Sequence, residues 1–207
     1  MASSLALVAG GFSSCSLDEE NPGGFELGDL ALTKTGYEEL LNQCFFGMER
    51  TYYGTDGFME FTEGDTDLWT YRANDDNAYQ QYFWFYAGAT PNTTYTNALW
   101  NSTYDGISSC NIVLKNADKA KANFTEEELN NILAQARFMR AIYYFNGVEQ
   151  FGGMTLLTEK DELKADYSPV RTDPMTIYKE IIIPDLEFAA EHLEKGTDDL
   201  CTTPTKK

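Results

Sequence analysis

The sequence predicts an all-α fold built from packed helical pairs. Four segments repeat apolar residues at helical spacing. Residues typical of helix starts and stops flank the third and fourth segments. The chain of 207 residues is 43% hydrophobic and 14% aromatic, which is enough to bury a substantial core. Self-similarity between the segments is weak, so the pattern alone indicates a mostly helical, repeat-like protein.

The first predicted helix covers residues 35–50. Its apolar stripe consists of Tyr37, Leu40, Leu41, Cys44, Phe45 and Met48. Residues 16–33, which precede it, contain the turn-forming run Asn21-Pro22-Gly23-Gly24 and are predicted to be an irregular linker.

A long insertion at residues 51–95 follows this helix. It is rich in glycines, acids and aromatic rings, and no helical period persists through 51–76. A loop of this length inside a compact domain is usually functional or disordered, and the aromatic content argues against disorder. We therefore predict a long, irregular, aromatic-rich insert that carries function.

The second predicted helix covers 97–118. The third begins with a capping box formed by Thr125 and Glu128 and ends at Gly152-Gly153. Aromatic residues at helical spacing in these two helices are predicted to belong to the core: Trp100, Tyr104, Tyr143 and Tyr144.

The fourth predicted helix begins at Asp173-Pro174, runs to Gly196 and should be kinked at Pro184. Residues 154–170 are predicted to form an extended connection before it. Long helices laid side by side with short or insert-bearing connections suggest stacked pairs of the tetratricopeptide kind.

Charge and cysteine content exclude several classes of function. The chain has 33 acidic and 15 basic residues and a formal net charge of -18, so nucleic acid and anionic lipid would be repelled. The cysteines form no CxxC pair, and His192 is the single histidine, so the sequence supports neither a zinc site nor a Cys-His nucleophile. We predict no metal, no cofactor and no catalytic residue. Cys44 and Cys110 lie in apolar helical stretches and are predicted to be buried.

The N-terminal residues resemble a bacterial lipoprotein signal. The short apolar stretch Leu5–Phe12 is followed by Ser13, Ser14 and Cys15, and then by acids at 18–20. Cys15 is therefore the predicted lipidation site, and residues 1–15 are interpreted as a shortened signal because no basic residue precedes the apolar stretch. The alternative is a frayed tail with an incidental cysteine.

Motifs along the chain are similar to those of the SusD/RagB family. The third helix reads Ala136-Arg137-Phe138-Met139-Arg140-Ala141, continues with Tyr143-Tyr144-Phe145 and closes on Phe151-Gly152-Gly153. Residues of the second helix resemble the family's preceding motif, namely Trp100, Tyr104, Ile107 and Asn111. Pro169-Val170-Arg171, with Ile177-Tyr178 and Asp185-Leu186, resembles the motif that follows, although Thr155 stands where the family often has proline.

The resemblance implies a fold, a role and a location. It implies a tetratricopeptide-like helical scaffold, with 34–207 as the N-terminal part of a single domain that is cut off at its C-terminus. The implied role is non-catalytic binding of glycan and its delivery to a SusC-like TonB-dependent transporter. The implied location is the cell surface, with a lipid anchor in the outer membrane.

Candidate ligand-binding residues lie in the insertion. Covering the apolar face of a sugar needs a flat ring, and its hydroxyls need fixed polar groups. The candidates are Asp65, Asp67, Trp69, Tyr71, Arg72 and Trp84. The alternative is that Trp69 and Trp84 only anchor the insertion to the scaffold. By contrast, Arg137 and Arg140 are expected to pair with acids or backbone carbonyls between packed helices.

Three rival functions remain open at the level of sequence. An oligopeptide-binding member of the same family would share every motif. A tetratricopeptide adaptor would lack the lipid on Cys15. A glycoside hydrolase would need two carboxylates across a cleft, and with 33 acids the sequence cannot distinguish such a pair.

Overall fold

The computed structural model describes residues 27–52, 62–63, 66, 94–161, 168–195 and 204–205. Within these ranges the regular structure is helical, and an isolated antiparallel bridge joins Met154 to Thr172. The prediction of an all-α fold is confirmed.

The helical body begins with a short helix, α1 (Leu27–Leu30), followed by α2 (Lys34–Gly47). The side chain of Thr33 caps α2 by accepting a hydrogen bond from the backbone N–H of Gly36 at 3.1 Å. A π-helical turn, Met48–Tyr52, extends the helix beyond its predicted end. Because α1 lies within the predicted linker 16–33, part of that linker is helical, and its residue Ala31 is fully buried.

The second predicted helix is divided at Asn116. Helix α3 (Thr94–Lys115) is followed by the short helix α4 (Ala117–Ala120) and a 3-10 turn, Lys121–Asn123. The side-chain amide of Asn116 donates to the backbone carbonyl of Ile112 at 2.9 Å. Such a local side-chain bond competes with the helical ladder, so the single helix predicted over 97–118 is interrupted.

Helix α5 (Glu126–Phe151) lies at the centre of the body and packs against α2 and α3. Its predicted capping box is confirmed: Thr125 Oγ1 accepts from the N–H of Glu128, and the Glu128 carboxylate accepts from the N–H of Thr125. The helix ends at Gly152, whose φ of 71° lies in the region that favours glycine.

The last helical stretch consists of α6 (Pro174–Ile177), a π turn (Tyr178–Ile182) and α7 (Ile183–His192), which packs on α5. The N–H of Ile183 donates to the carbonyl of Tyr178, five residues back. The irregularity expected at Pro184 is thus a π turn directly before the proline, which has no N–H to donate. The helix ends at His192, before the predicted Gly196, because Leu193 is extended.

Buried tyrosines fill much of the core between these helices. Tyr37, Tyr52, Tyr143 and Tyr144 are fully buried, whereas Trp100 and Tyr104 pack against the core while partly exposed. Cys44 and Cys110 are buried free thiols, as predicted. Gly106 allows α3 to approach α5 closely, since a side chain there would overlap the ring of Tyr143.

Among the described residues, no helix combines the length and the apolar character that crossing a bilayer requires.

Candidate functional site

The residues assigned to glycan binding lie outside the described residues, as does Cys15. They are Asp65, Asp67, Trp69, Tyr71, Arg72 and Trp84. Between them, Thr66 is exposed, and its N–H and hydroxyl both donate to the carbonyl of Glu63, at 3.2 and 2.8 Å. The described residues belong mainly to the helical body from which the insertion departs.

A tyrosine hydroxyl interrupts the helical ladder where α2 gives way to its π turn. Tyr143 on α5 donates to the carbonyl of Cys44 at 2.8 Å and accepts from the N–H of Met48 at 3.1 Å. These two backbone groups are four residues apart and would bond directly to each other in a regular α-helix. A side chain inserted into the ladder is a known cause of helix irregularity, and here it fixes the end of α2 to α5.

Tyr143 also contacts Tyr52, which lies near the start of the insertion. The ring of Tyr52 meets that of Tyr143 edge-on, with centroids 6.0 Å apart. Its hydroxyl is hydrogen-bonded to Thr103 on α3. Because the Thr103 hydroxyl donates to the carbonyl of Leu99 at 2.7 Å, Tyr52 acts as the donor. The first end of the insertion is thus held by α3 and α5 together.

Side chains from α3 and α5 also hold the connection that follows α5. Tyr144 donates to the carbonyl of Leu157 and accepts from the N–H of the same residue, both at 2.8 Å. Tyr104 donates to the carbonyl of Thr155 at 3.0 Å, and Asn111 donates to Leu157 at 3.1 Å. Tyr104 and Asn111, two residues of the family-like motif in α3, therefore hold residues 155–157 in place.

A buried guanidinium joins four parts of the body. Arg140 on α5 is 3% exposed and makes two hydrogen bonds to Asp185 on α7, at 2.7 and 2.9 Å. Its remaining nitrogen bonds to Asn111 on α3 at 2.7 Å and to Glu159 in the connection at 2.6 Å. Forked recognition of a carboxylate by arginine is geometrically specific, so this network sets the relative placement of these elements.

The charges in this network adjust one another's pKa values. Burial raises the pKa of Asp185, and the hydrogen bonds from Arg140 oppose that rise. Burial also acts to raise the pKa of Glu159, but the hydrogen bond and charge of Arg140, a backbone hydrogen bond and the charge of Lys160 together outweigh it, so the net shift is downward. The pKa of Arg140 is raised, because its two acidic partners outweigh its burial.

Arg137 lies beside this network on the same helix. Its guanidinium approaches Asp185 at 3.9 Å and stacks 4.2 Å from the ring centroid of Phe188. The prediction that Arg137 and Arg140 pair with acids between packed helices is confirmed. Both guanidinium groups contact partners within the helical body, which assigns them a structural role.

A groove of about 420 Å³ lies between α2, the first half of α5 and the chain just after α7. We call it the amide groove, because it is lined by the side-chain amides of Asn42, Asn131 and Gln135. Gln135 is 7% exposed, and its buried Oε1 has no hydrogen-bond partner among the described residues. Asn131 Oδ1 accepts from the N–H of Glu194 at 3.2 Å.

No sequence pattern predicted the amide groove. Only Asn131 and Gln135 share a helix face, at a spacing of four residues, and Asn42 joins them through the packing of α2 on α5. Over the described ranges, no cluster of three or more His, Cys, Asp or Glu side chains is arranged to hold a metal ion.

Comparison with known proteins identifies the family. A family model for SusD-like proteins, described as "Starch-binding associating with outer membrane", matches residues 26–207. The chain belongs to the SusD-like family. The resemblance of its helical motifs to SusD/RagB proteins is thereby confirmed.

Individual relatives agree with this assignment. SusD-like protein P25 of Formosa agariphila is 34% identical over 94 residues, which are 45% of this chain and 18% of that protein. A SusD superfamily structure from Parabacteroides distasonis is 25% identical with a TM-score of 0.64, covering 79% of this chain and 35% of the other.

Two further solved structures share the SusD-like fold. One is described as a laminarin-binding SusD-like protein, with 23% identity, a TM-score of 0.68, and coverage of 84% of this chain and 37% of the other. The second is surface glycan-binding protein A from Bacteroides uniformis, with 23% identity, a TM-score of 0.60, and coverage of 79% and 36%. The chain therefore spans little more than a third of these structures.

Proposed function

We propose that the chain serves in a non-catalytic protein that captures glycan at the cell surface and passes it to a SusC-like TonB-dependent transporter. The observation that carries this proposal is the SusD-like family match over residues 26–207. Relatives of the same fold are described as laminarin-binding and as surface glycan-binding proteins, which supports a carbohydrate ligand.

In this proposal the insertion supplies the ligand contacts. Trp69, Tyr71 and Trp84 would cover the apolar faces of sugar rings, and flat aromatic side chains do so at a low cost in conformational entropy. The acids Asp65 and Asp67 and the guanidinium of Arg72 would bond to the hydroxyl rim.

The described body supports this arrangement by fixing the start of the insertion. The hydrogen bonds of Tyr143 to α2, and of Tyr52 to Thr103, restrain the chain where the insertion leaves the helices. Restraint in the unbound state lowers the ordering cost of binding, so a rigid base favours affinity.

Charge favours an uncharged ligand. The chain has a formal net charge of -18, which would repel a polyanion at low ionic strength. Lipidation at Cys15 would hold the protein at the outer membrane, where stable anchoring needs at least two acyl chains or equivalent signals.

Replacing Trp69 with alanine tests the site. We expect binding of neutral glucan oligosaccharides, measured by calorimetry, to weaken by about 1–3 kcal/mol, the range for a stacking anchor. The matched control is Phe46→Ala, which removes a ring that is 57% exposed on α2, outside the insertion. This control should leave glycan affinity unchanged.

Two results would count against the proposed site or ligand. Equal glycan affinity of Trp69→Ala and the unaltered chain would remove Trp69 from the site. Binding of an oligopeptide panel, with no response to any glycan, would instead favour the peptide-binding alternative within the family.

A further inference from the structure

Two buried cysteines face each other across the pair formed by α2 and α3. Cys44 on α2 and Cys110 on α3 are fully buried free thiols in one core cluster. The Cys44 thiol donates to the carbonyl of Leu40 at 3.7 Å, and the Cys110 side chain is hydrogen-bonded to that of Cys44. Because a thiol has one hydrogen, Cys110 is the donor in the bond between the two sulfur atoms. These sulfur atoms are therefore direct neighbours.

Contacts on either side of the cysteines show that α2 and α3 run antiparallel and close together. Towards the start of α2, the hydroxyl of Tyr37 donates to the carbonyl of Val113 at 2.8 Å. Towards its end, a Cβ atom on Gly47 would lie 3.3 Å from the carbonyl oxygen of Ser102. The two cysteines lie between these contacts on their helices, and the absent side chain of Gly47 allows the backbones to approach closely. A disulfide needs such proximity, with Cα atoms usually about 4.4–6.8 Å apart.

We propose that Cys44 and Cys110 form a disulfide bond in the mature protein. The bond rests on the proposed function for its location, because capture at the cell surface places the chain in an environment where protein disulfides persist. The other two cysteines, Cys15 and Cys201, lie outside the described residues.

The bond forms by exchange with an oxidant that itself carries a disulfide, such as oxidised glutathione or a thiol oxidoreductase. The thiolate of one cysteine attacks the oxidant, forms a mixed disulfide and releases one thiol of the oxidant. The second cysteine then attacks the protein's sulfur in that mixed disulfide, and the second thiol leaves. The protons of the two cysteines pass through solvent to the leaving thiolates. The protein thus loses two hydrogen atoms, and the oxidant is reduced to two thiols.

Burial determines when this exchange can occur. Burial, followed by the hydrogen bond and the charge of Cys44, raises the pKa of Cys110 well above its usual value. A protonated thiol is a poor nucleophile, and an oxidant cannot reach two fully buried sulfur atoms. The exchange therefore takes place while the chain folds, before α2 packs on α3. Once the bond has formed, the same burial shields it from reductants.

The bond ties together the two helices that flank the insertion. Cys44 lies before residues 51–95 and Cys110 lies after them, so the disulfide closes a loop that contains the whole insertion. Helix α2 leads into the insertion, and α3 begins at Thr94, near its end. Closing such a loop restricts the unfolded chain and stabilises the fold. The disulfide therefore adds a covalent link to the contacts that hold the start of the insertion.

The test is refolding of the fully reduced 207-residue chain in reduced and oxidised glutathione, followed by alkylation of free thiols and digestion with trypsin. Cleavage after lysine and arginine places the four cysteines on separate peptides, with Cys44 on 35–50 and Cys110 on 73–115. We expect these two peptides to be joined in most molecules, with a mass two hydrogens below the sum of the free peptides. The same oxidant should join them at least about tenfold more slowly in the reduced chain that has already folded, because the core must first open.

Thermal unfolding measures the contribution of the bond. The reduced chain, kept in a phosphine, should unfold at a temperature roughly 6–12 °C below that of the oxidised chain, given the usual effect of a disulfide in a protein of this size. Cys44→Ala keeps a small apolar side chain in the core and is the control. Its Tm should be the same with and without the phosphine, and Cys110→Ala should behave alike.

Other results overturn the inference. Recovery of Cys44 and Cys110 as alkylated thiols from refolded, helical chain would exclude the bond, and crosslinks that mainly involve Cys15 or Cys201 would assign it to a different pair. Equal Tm of the oxidised and reduced chains would contradict the link between α2 and α3. Loss of glycan binding while the two peptides remain joined would instead count against the proposed function alone.

Discussion

Replacing Tyr143 with phenylalanine removes one hydroxyl group from the junction of α2 and α5. That hydroxyl bridges the carbonyl of Cys44 and the N–H of Met48, and both residues are buried. The N–H of Met48 keeps its shared bond to the carbonyl of Phe45, whereas the Cys44 carbonyl loses the hydroxyl donor. We expect a loss of about 2 kcal/mol of folding stability, within the range for an unsatisfied buried polar group.

The assay is thermal unfolding followed by circular dichroism. For a chain of this size about 2 kcal/mol corresponds to a fall in Tm of roughly 4–8 °C. Tyr178→Phe is the matched control, because its hydroxyl donates to Glu149 at the surface, at 3.0 Å. The control should change stability by less than about 0.5 kcal/mol.

An unchanged Tm for Tyr143→Phe would refute the reasoning. It would mean that in the variant the N–H of Met48 donates directly to the carbonyl of Cys44. The inserted hydroxyl would then contribute nothing to the stability of the packing of α2 on α5. In that case the π turn at Met48–Tyr52 would need another cause.

Two further changes test the electrostatics of the body. Arg140→Met should destabilise the fold by about 3–5 kcal/mol in urea unfolding, because it leaves Asp185 buried without its main partner. Arg171→Met, at an exposed position, is its control, and equal stability of the two variants would contradict the assigned network. Hydrogen bonds from Lys34 and Thr125 lower the pKa of Glu128 from its usual 4.5 to about 2. The ionised Glu128 side chain therefore stabilises the fold fully above pH 4.5, and this stabilisation is lost as the pH falls from 4.5 to about 2. Glu128→Gln should flatten the decline of Tm between these pH values relative to Glu127→Gln, and parallel profiles would argue against that contribution.

Helix starts were predictable because their signals are local. The hydroxyl of Thr125 and the carboxylate of Asp173 cap their helices as the sequence indicates. The irregular ends were not predictable, because the π turn after α2 depends on a hydroxyl from Tyr143, which is remote in sequence. Helix α1, with four residues, is too short to show a period.

The roles of the arginines could be predicted in kind but not in detail. Spacing placed Arg137 and Arg140 on one side of a helix, and the expectation of acidic partners was correct. The identity of those partners depends on the packing of α7 and of the connection after α5. Likewise, the amide groove is formed by side chains on separate elements, so no local motif predicts it.

The most direct test of glycan capture without catalysis is electrophoresis of the native chain through gels that contain laminarin or starch, followed by a reducing-end assay of the polysaccharide. Glycan capture without catalysis predicts slower migration in at least one polysaccharide gel and no new reducing ends. Unchanged migration in every glycan tested, or the release of reducing ends, would contradict it.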